Sequence, residues 1–230
     1  MIPLRDTIPR RTTPFVNTIL VVANVAVFLL ELVNGESFIA GLAFVPARFF
    51  HPSAYQETFT ANVVTILTAM FLHGGFLHLA GNMLYLWIFG DNVEDALGHS
   101  RYLVFYLASG VGATLLQAFL WPLSTVPNIG ASGAIAGVLG AYFVLYPKAR
   151  VVTLVPLFLF FPLVEIPAFL YLLFWFLMQF WMGTTSLLGG RHGGAGGVAW
   201  WAHVGGFLAG LLLVALLRPA QRPAPRYRIQ

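Results

Sequence analysis

One serine, two histidines and one asparagine lie in stretches of sequence that are otherwise apolar. Ser132 sits in Gly130-Ala131-Ser132-Gly133, and His203 in Ala202-His203-Val204-Gly205-Gly206. His78 and Asn82 are four residues apart in a third apolar run, so on a helix they share one face. Nucleophilic catalysis needs a hydroxyl, a base to take its proton, and donors for the oxyanion that forms. Ser132, His203, and the pair His78 with Asn82 supply those three parts. Each residue alone has a plainer reading: Ser132 as a helix N-cap, Asn82 as a hydrogen bond between helices, His203 as a buried neutral imidazole. The combination points to chemistry. Gly133 and Gly137 are four apart, as are Gly206 and Gly210, and such faces let two helix backbones come nearly into contact. Ser132 adjoins the first pair and His203 lies one turn before the second, so the packing that joins these helices brings hydroxyl and imidazole together. A helix beginning at Ser132 also directs free N–H groups at a developing negative charge.

The elements that must position these residues follow from composition. Of 230 residues 59% are hydrophobic and 9% charged, and the mean hydropathy is +0.82. A soluble domain carries about 25% charged residues, so an ordinary soluble enzyme and a disordered chain are both excluded. At ~20 residues per span, one integral membrane domain of six helices fits. The sequence divides into spans at Phe15–Val33, Phe76–Asp95, Arg101–Trp121, Ser132–Tyr146, Ile166–Leu188 and Ala199–Leu217. The fold class expected is an all-α, six-helix membrane bundle with a structured first loop over 34–61. Its division is a polar tail at 1–14, the membrane domain at 15–217 and a basic tail at 218–230. Residues 151–167 are apolar, but Pro156, Pro162 and Pro167 oppose a regular helix, so a partly buried connector is expected there. The absence of cysteine excludes disulfides and thiol catalysis.

An even number of spans puts both termini on one side. On that side lie Arg5, Arg10, Arg11, Arg101, Lys148, Arg150, Arg218, Arg222, Arg226 and Arg228, against Arg48 and Arg191 on the other. Ten against two makes the termini cytoplasmic, with the Ser132 end of the fourth span facing the opposite side. The net charge of +4 sits mainly in the tails, which suits an anionic membrane surface and not nucleic acid.

Taken in order, these motifs resemble the rhomboid intramembrane serine proteases. The resemblance runs from about Leu67 to Gly210. It comprises His73, His78-Leu79-Ala80-Gly81-Asn82, Gly90 to Glu94, the Gly130–Gly133 motif, and Ala202-His203-Val204-Gly205-Gly206-Phe207-Leu208-Ala209-Gly210. It implies a Ser–His dyad with Ser132 as nucleophile and His203 as general base. His78, Asn82 and the Ser132 backbone N–H would form the oxyanion hole. His73 and Glu94 would hold loops, and Gly130, Gly133, Gly206 and Gly210 would support the close packing. Substrates would be single-span membrane proteins cut in or near the bilayer, with no cofactor and no metal. Apart from the resemblance, the missing cysteines and transit peptide are compatible with an integral protein of a prokaryotic plasma membrane, which is the location expected. Two departures from the family pattern are visible. Ala136 stands where several members place an aromatic against the histidine, and the first loop has no Trp-Arg pair, only Ala47-Arg48-Phe49.

Further expectations concern access. Gly189 to Gly197 reads either as a lid or as a solvated linker. The aromatic fifth span, with Phe174, Trp175, Phe176, Phe180 and Trp181, reads either as a lateral gate or as a lipid-facing helix. Trp200 and Trp201 suit an interfacial belt, and Asp91, Glu94 and Asp95 a solvated cap with loop anchors. Two rival functions stand beside proteolysis: client binding without cleavage, and ion transport through His73, His78 and His203. Against transport, no acidic residue lies mid-span and no internal repeat is visible.

Overall fold

The structure is a computed structural model and describes residues 1–157, 160–189 and 198–219. Most of the expected lid, 190–197, and residues 220–230 of the basic tail lie outside the described residues. Nine helices are described: α1 (Phe15–Asn34), α2 (Glu36–Leu42), α3 (Pro46–Phe50), α4 (Phe59–Thr68), α5 (Phe76–Leu97), α6 (His99–Leu120), α7 (Ser132–Leu145), α8 (Ala168–Leu188) and α9 (Trp200–Leu217). Four of them, α1, α6, α8 and α9, are long and apolar enough to cross a membrane. The segment Phe59–Phe71 and α5 form a pair bent by 80°, a fifth crossing if counted as one span. The remaining apolar helix, α7, has 14 residues. It is therefore ~21 Å long against a hydrocarbon layer of ~30 Å.

The short helix α7 is the centre of the bundle. Every residue from Gly133 to Tyr142 is buried, as expected of a helix that is apolar on all sides. It packs against α5, α6, α8 and α9. The α7–α9 contact is backbone on backbone. A methyl group built on Gly206 would overlap the carbonyl oxygen of Gly133, one on Gly210 that of Gly137, and one on Gly140 that of Phe207. The glycine spacing read from the sequence is thus a seam in which no side chain separates the two helices.

The long apolar run from Asn62 to Gly90 breaks at the expected place. Gly75 has φ +152°, a conformation L-residues with side chains rarely adopt, and α5 starts immediately after it. The first loop is structured as expected, with α2 to α4 around a small core of Phe44, Ile66, Ala69 and Ala118. Arg48 braces it: its guanidinium donates to the Ala40 carbonyl at 3.3 Å and pairs with Glu57 at 3.4 Å. The loop is stitched to the segment before α7, because Ala47 N donates to Ser124 O at 3.0 Å and Asn128 N to Phe44 O at 2.7 Å.

To the helices the structure adds a three-stranded antiparallel sheet that the sequence reading did not anticipate. Its strands are β1 (Ile2–Asp6), β2 (Arg150–Leu154) and β3 (Leu163–Pro167), in the order β1-β2-β3. The expected irregular connector is therefore largely a hairpin, and the polar tail contributes its third strand. The β-branched residues Val151, Val152 and Thr153 favour the central strand, and Pro156 and Pro162 lie outside both hairpin strands, where no ladder N–H is needed. The N-terminal segment is also tied to the end of α5. Asp95 accepts from Thr12 N at 3.1 Å and Thr12 Oγ1 at 2.7 Å, and Glu94 accepts from Val16 N at 2.9 Å and Asn17 N at 2.7 Å. Glu94 is fully buried and satisfies the first orphan N–H groups of α1, so it is an interior anchor and not a solvated cap. Gly90 makes room for that contact, since a side chain there would strike Asn17.

Candidate active site

The seam between α7 and α9 brings Ser132 and His203 into contact. Ser132 occupies the first position of α7, with Ala131 as the cap residue and no side-chain capping bond. The N-cap reading of Ser132 is thereby replaced. Its hydroxyl lies 2.8 Å from His203 Nε2. For Nε2 to accept the serine proton, the neutral ring must carry its own proton on Nδ1. The Nδ1 atom lies 2.8 Å from Oε1 of Gln179, a buried residue of α8. Gln179 escaped the sequence reading. A glutamine in a 21-residue aromatic helix was a signal of the same kind as Asn82.

The aromatic partner missing at Ala136 is supplied from elsewhere. Trp175 lies over the imidazole with ring centroids 5.8 Å apart and a 34° tilt, and Trp200 meets it edge-on at 6.2 Å and 87°. The aromatic set expected to face lipid or gate substrate is thus divided. Phe174, Phe180 and Trp181 are exposed, whereas Trp175 and Phe176 turn inward, Phe176 onto Phe207 at 4.8 Å. Trp200 and Trp201 are half-buried at the start of α9, and Trp201 meets Phe180 at 5.5 Å and lies against Gly183.

His78 and Asn82 converge on Gly130, immediately before the Ser132 end of α7. A Cβ on Gly130 would sit 2.8 Å from His78 Nε2 and 3.7 Å from Asn82 Nδ2. Gly130 has φ +122°, and its N–H donates to Ala69 O at 2.9 Å. Gly74 N donates to His78 Nδ1 at 3.3 Å, which leaves the His78 proton on Nε2, facing Gly130. Asn82 Nδ2 is buried and has no hydrogen-bond partner among the described residues. Buried donors are nearly always paired, so an unpaired one close to Gly130 has hydrogen-bonding capacity to spare.

His73 stands behind this pair, its ring 5.1 Å from that of His78. Its Nδ1 bonds the Phe71 carbonyl at 3.2 Å, and its backbone N donates to the buried Glu31 carboxylate at 3.0 Å. Glu31 thus fixes the bend between α4 and α5 from α1, a role the sequence reading did not assign. Glu94 lies at the far end of α5 and bonds α1 and His99. Among the described residues, no group of three His, Asp or Glu side chains is arranged to hold a metal ion.

Comparison with known proteins agrees with this architecture. The Rhomboid domain profile matches residues 60–220. The chain belongs to the rhomboid family. Among its relatives, the mitochondrial Rhomboid protein 1 of Saccharomyces cerevisiae is 34% identical over 104 residues, 44% of this chain and 30% of that protein. Rhomboid protease GluP of Bacillus subtilis is 45% identical over 76 residues, 33% of this chain and 14% of that protein. Rhomboid protease AarA of Providencia stuartii is 33% identical over 135 residues, 53% of this chain and 47% of that protein. The matches thus span less than half the length of each of these relatives.

Proposed function

We propose that the protein is an intramembrane serine endopeptidase that hydrolyses peptide bonds in or near the spans of single-span membrane proteins. The observation that carries this reading is the 2.8 Å contact between Ser132 Oγ and His203 Nε2 at the start of a buried helix. As a substrate carbonyl approaches, the hydroxyl attacks its carbon and His203 takes the serine proton. The negative oxygen is received by the Ser132 N–H, by Nε2–H of His78 and by the unpaired amide of Asn82. His203 then passes its proton to the leaving amine, and water releases the acyl group by the same acid–base cycle. The free N–H groups of the first turn of α7 add their field to the oxyanion.

Water must reach the dyad, and α7, with 14 residues, is too short to cross the hydrocarbon layer, which suits a Ser132 end set below one surface. The charge asymmetry favours cytoplasmic termini and a site open to the opposite side. Substrate peptide bonds are shielded by helical hydrogen bonds, and each unpaired group in lipid costs several kcal/mol. Segments with Gly or Pro near the cut are therefore favoured. The test is cleavage of a single-span reporter protein in liposomes beside Ser132→Ala and His203→Ala. Both variants are expected to be silent with unchanged melting temperatures. Cleavage by both at the parent rate would refute the mechanism.

A further inference from the structure

We propose that Gln179 is the positioning residue for His203: a neutral third member of the catalytic set that fixes the tautomer and aim of the base. The inference rests on the dyad reading above and extends it. For His203 to accept the Ser132 proton, its own proton must sit on Nδ1, where it needs an acceptor on the side of the ring that faces α8. Gln179 Oε1, at 2.8 Å, is that acceptor. The opposite arrangement, with the Gln179 amide N–H donating to Nδ1, would put the ring proton on Nε2 and leave the imidazole unable to act as base. The choice of amide oxygen therefore decides whether the site works.

The residue type suits the setting. A carboxylate would hold the same proton but would place a bare charge within a membrane helix in the resting enzyme. An amide carries no charge at rest. Once His203 takes the serine proton, the Nδ1–H···O bond becomes charge-assisted and strengthens, which is help given in the transition state and not before it. Helix α8 provides this support as a unit. Trp175 and Gln179 are four residues apart on one face, the first lying over the ring and the second bonding its edge. Together they do what an aromatic at Ala136 would otherwise do.

The experiment compares the full-length parent with Gln179→Met, which keeps the unbranched length and removes the acceptor, and with Gln179→Glu, which keeps an acceptor and adds charge. Cleavage of a single-span reporter in liposomes is followed from pH 5 to 9, beside melting temperature and labelling of Ser132 by a fluorophosphonate. Gln179→Met is expected to lose roughly 10²-fold in kcat, with little change in KM or melting temperature. Gln179→Glu is expected to recover much of that rate, with the acid limb of its pH–rate profile moved to higher pH, because a carboxylate favours the protonated ring and the base must be neutral to act. Gln179→Met cutting within threefold of the parent overturns the proposal. So does a folded Gln179→Glu that is as inactive as Gln179→Met at every pH. If Gln179→Met does not fold, Gln179→Glu decides alone: a displaced acid limb supports the assignment, and an unmoved one refutes it. Failure of the underlying dyad reading is separate, since it appears as Ser132→Ala and His203→Ala cutting and labelling like the parent.

Discussion

Gly206→Ala isolates the seam between α7 and α9 from the chemistry it serves. The added methyl would overlap the Gly133 carbonyl oxygen and sit 2.9 Å from the carbonyl carbon and 3.2 Å from Ala136 Cβ. Carbon atoms pack comfortably at ~3.5–4.0 Å, so the helices must part by roughly 1 Å. Neither neighbour can turn aside, because one is backbone and the other a Cβ. Overpacking of this kind costs about 1–3 kcal/mol. The catalytic effect should be larger than the loss of stability suggests. Ser132 Oγ and His203 Nε2 are 2.8 Å apart, and each belongs to one of the two parting helices. A gap widened by ~1 Å exceeds the ~3.2 Å reach of proton transfer and costs on the order of 10²-fold in rate. Reporter cleavage in liposomes and thermal unfolding of the same preparations measure both effects. Gly41→Ala is the control, because nothing lies within 4 Å of a Cβ at that position. If Gly206→Ala cuts at the parent rate and melts at the parent temperature, the seam does not set the dyad distance and the reasoning fails.

Other perturbations read different parts of the structure. Asp6 in β1 is buried enough to raise its pKa from 3.8 to about 7, chiefly by desolvation and also through Asp91, while the hydrogen bond from Tyr142 opposes the rise. The folded state therefore holds this proton more tightly than the unfolded chain, so stability falls as pH rises from about 4 through about 7. Asp6→Asn still accepts from Asn92 and Tyr142 and should melt higher than the parent at pH 8 but not at pH 4, by thermal unfolding in detergent. Glu31→Leu strips the acceptor from the buried His73 N–H, at about 1–3 kcal/mol, and should lower cleavage through the displaced bend, whereas Glu31→Gln should be tolerated. Glu94→Ala leaves the Val16 and Asn17 N–H groups unpaired, at roughly 1–3 kcal/mol each, and should lower the melting temperature more than Asp95→Ala. Gly130→Ala combines backbone strain at φ +122° with a methyl 2.8 Å from His78 Nε2, and should reduce turnover while Ser132 remains accessible to a fluorophosphonate.

What the sequence disclosed was whatever follows from the period of a helix. The faces of Gly133 with Gly137 and Gly206 with Gly210, the pairing of His78 with Asn82, and the placement of Ser132 and His203 beside the glycines all depend on residues three or four apart. The break at His73-Gly74-Gly75 was visible because only glycine is at ease at the φ of +152° found at Gly75. The sheet was not visible. Pro156, Pro162 and Pro167 argued against a helix over 151–167 without naming what replaced it, and the partner strand of β2 begins at Ile2, far away in sequence. Strand pairing across such a distance leaves no local signature in two five-residue segments.

The same limit applies to the supports of the site. Glu94 satisfies the start of α1 from the end of α5, and Glu31 holds the backbone of His73 from α1. Neither pairing has a spacing that a helix period could reveal. Gln179 is the sharpest case. A polar group within a membrane helix needs a reason, and this holds for a glutamine between Met178 and Phe180 as it does for Ser132, His78, Asn82 and His203. The reading of α8 by its aromatic residues, as gate or lipid face, obscured it. With Trp175 and Phe176 turned inward, α8 has two different faces: an outer one of Phe174, Phe180 and Trp181, and an inner one that contacts His203. A polar residue on the inner face of an otherwise apolar helix is thus a better guide to a membrane active site than the helix's average character. It costs too much to keep unless something in the interior needs its hydrogen bond.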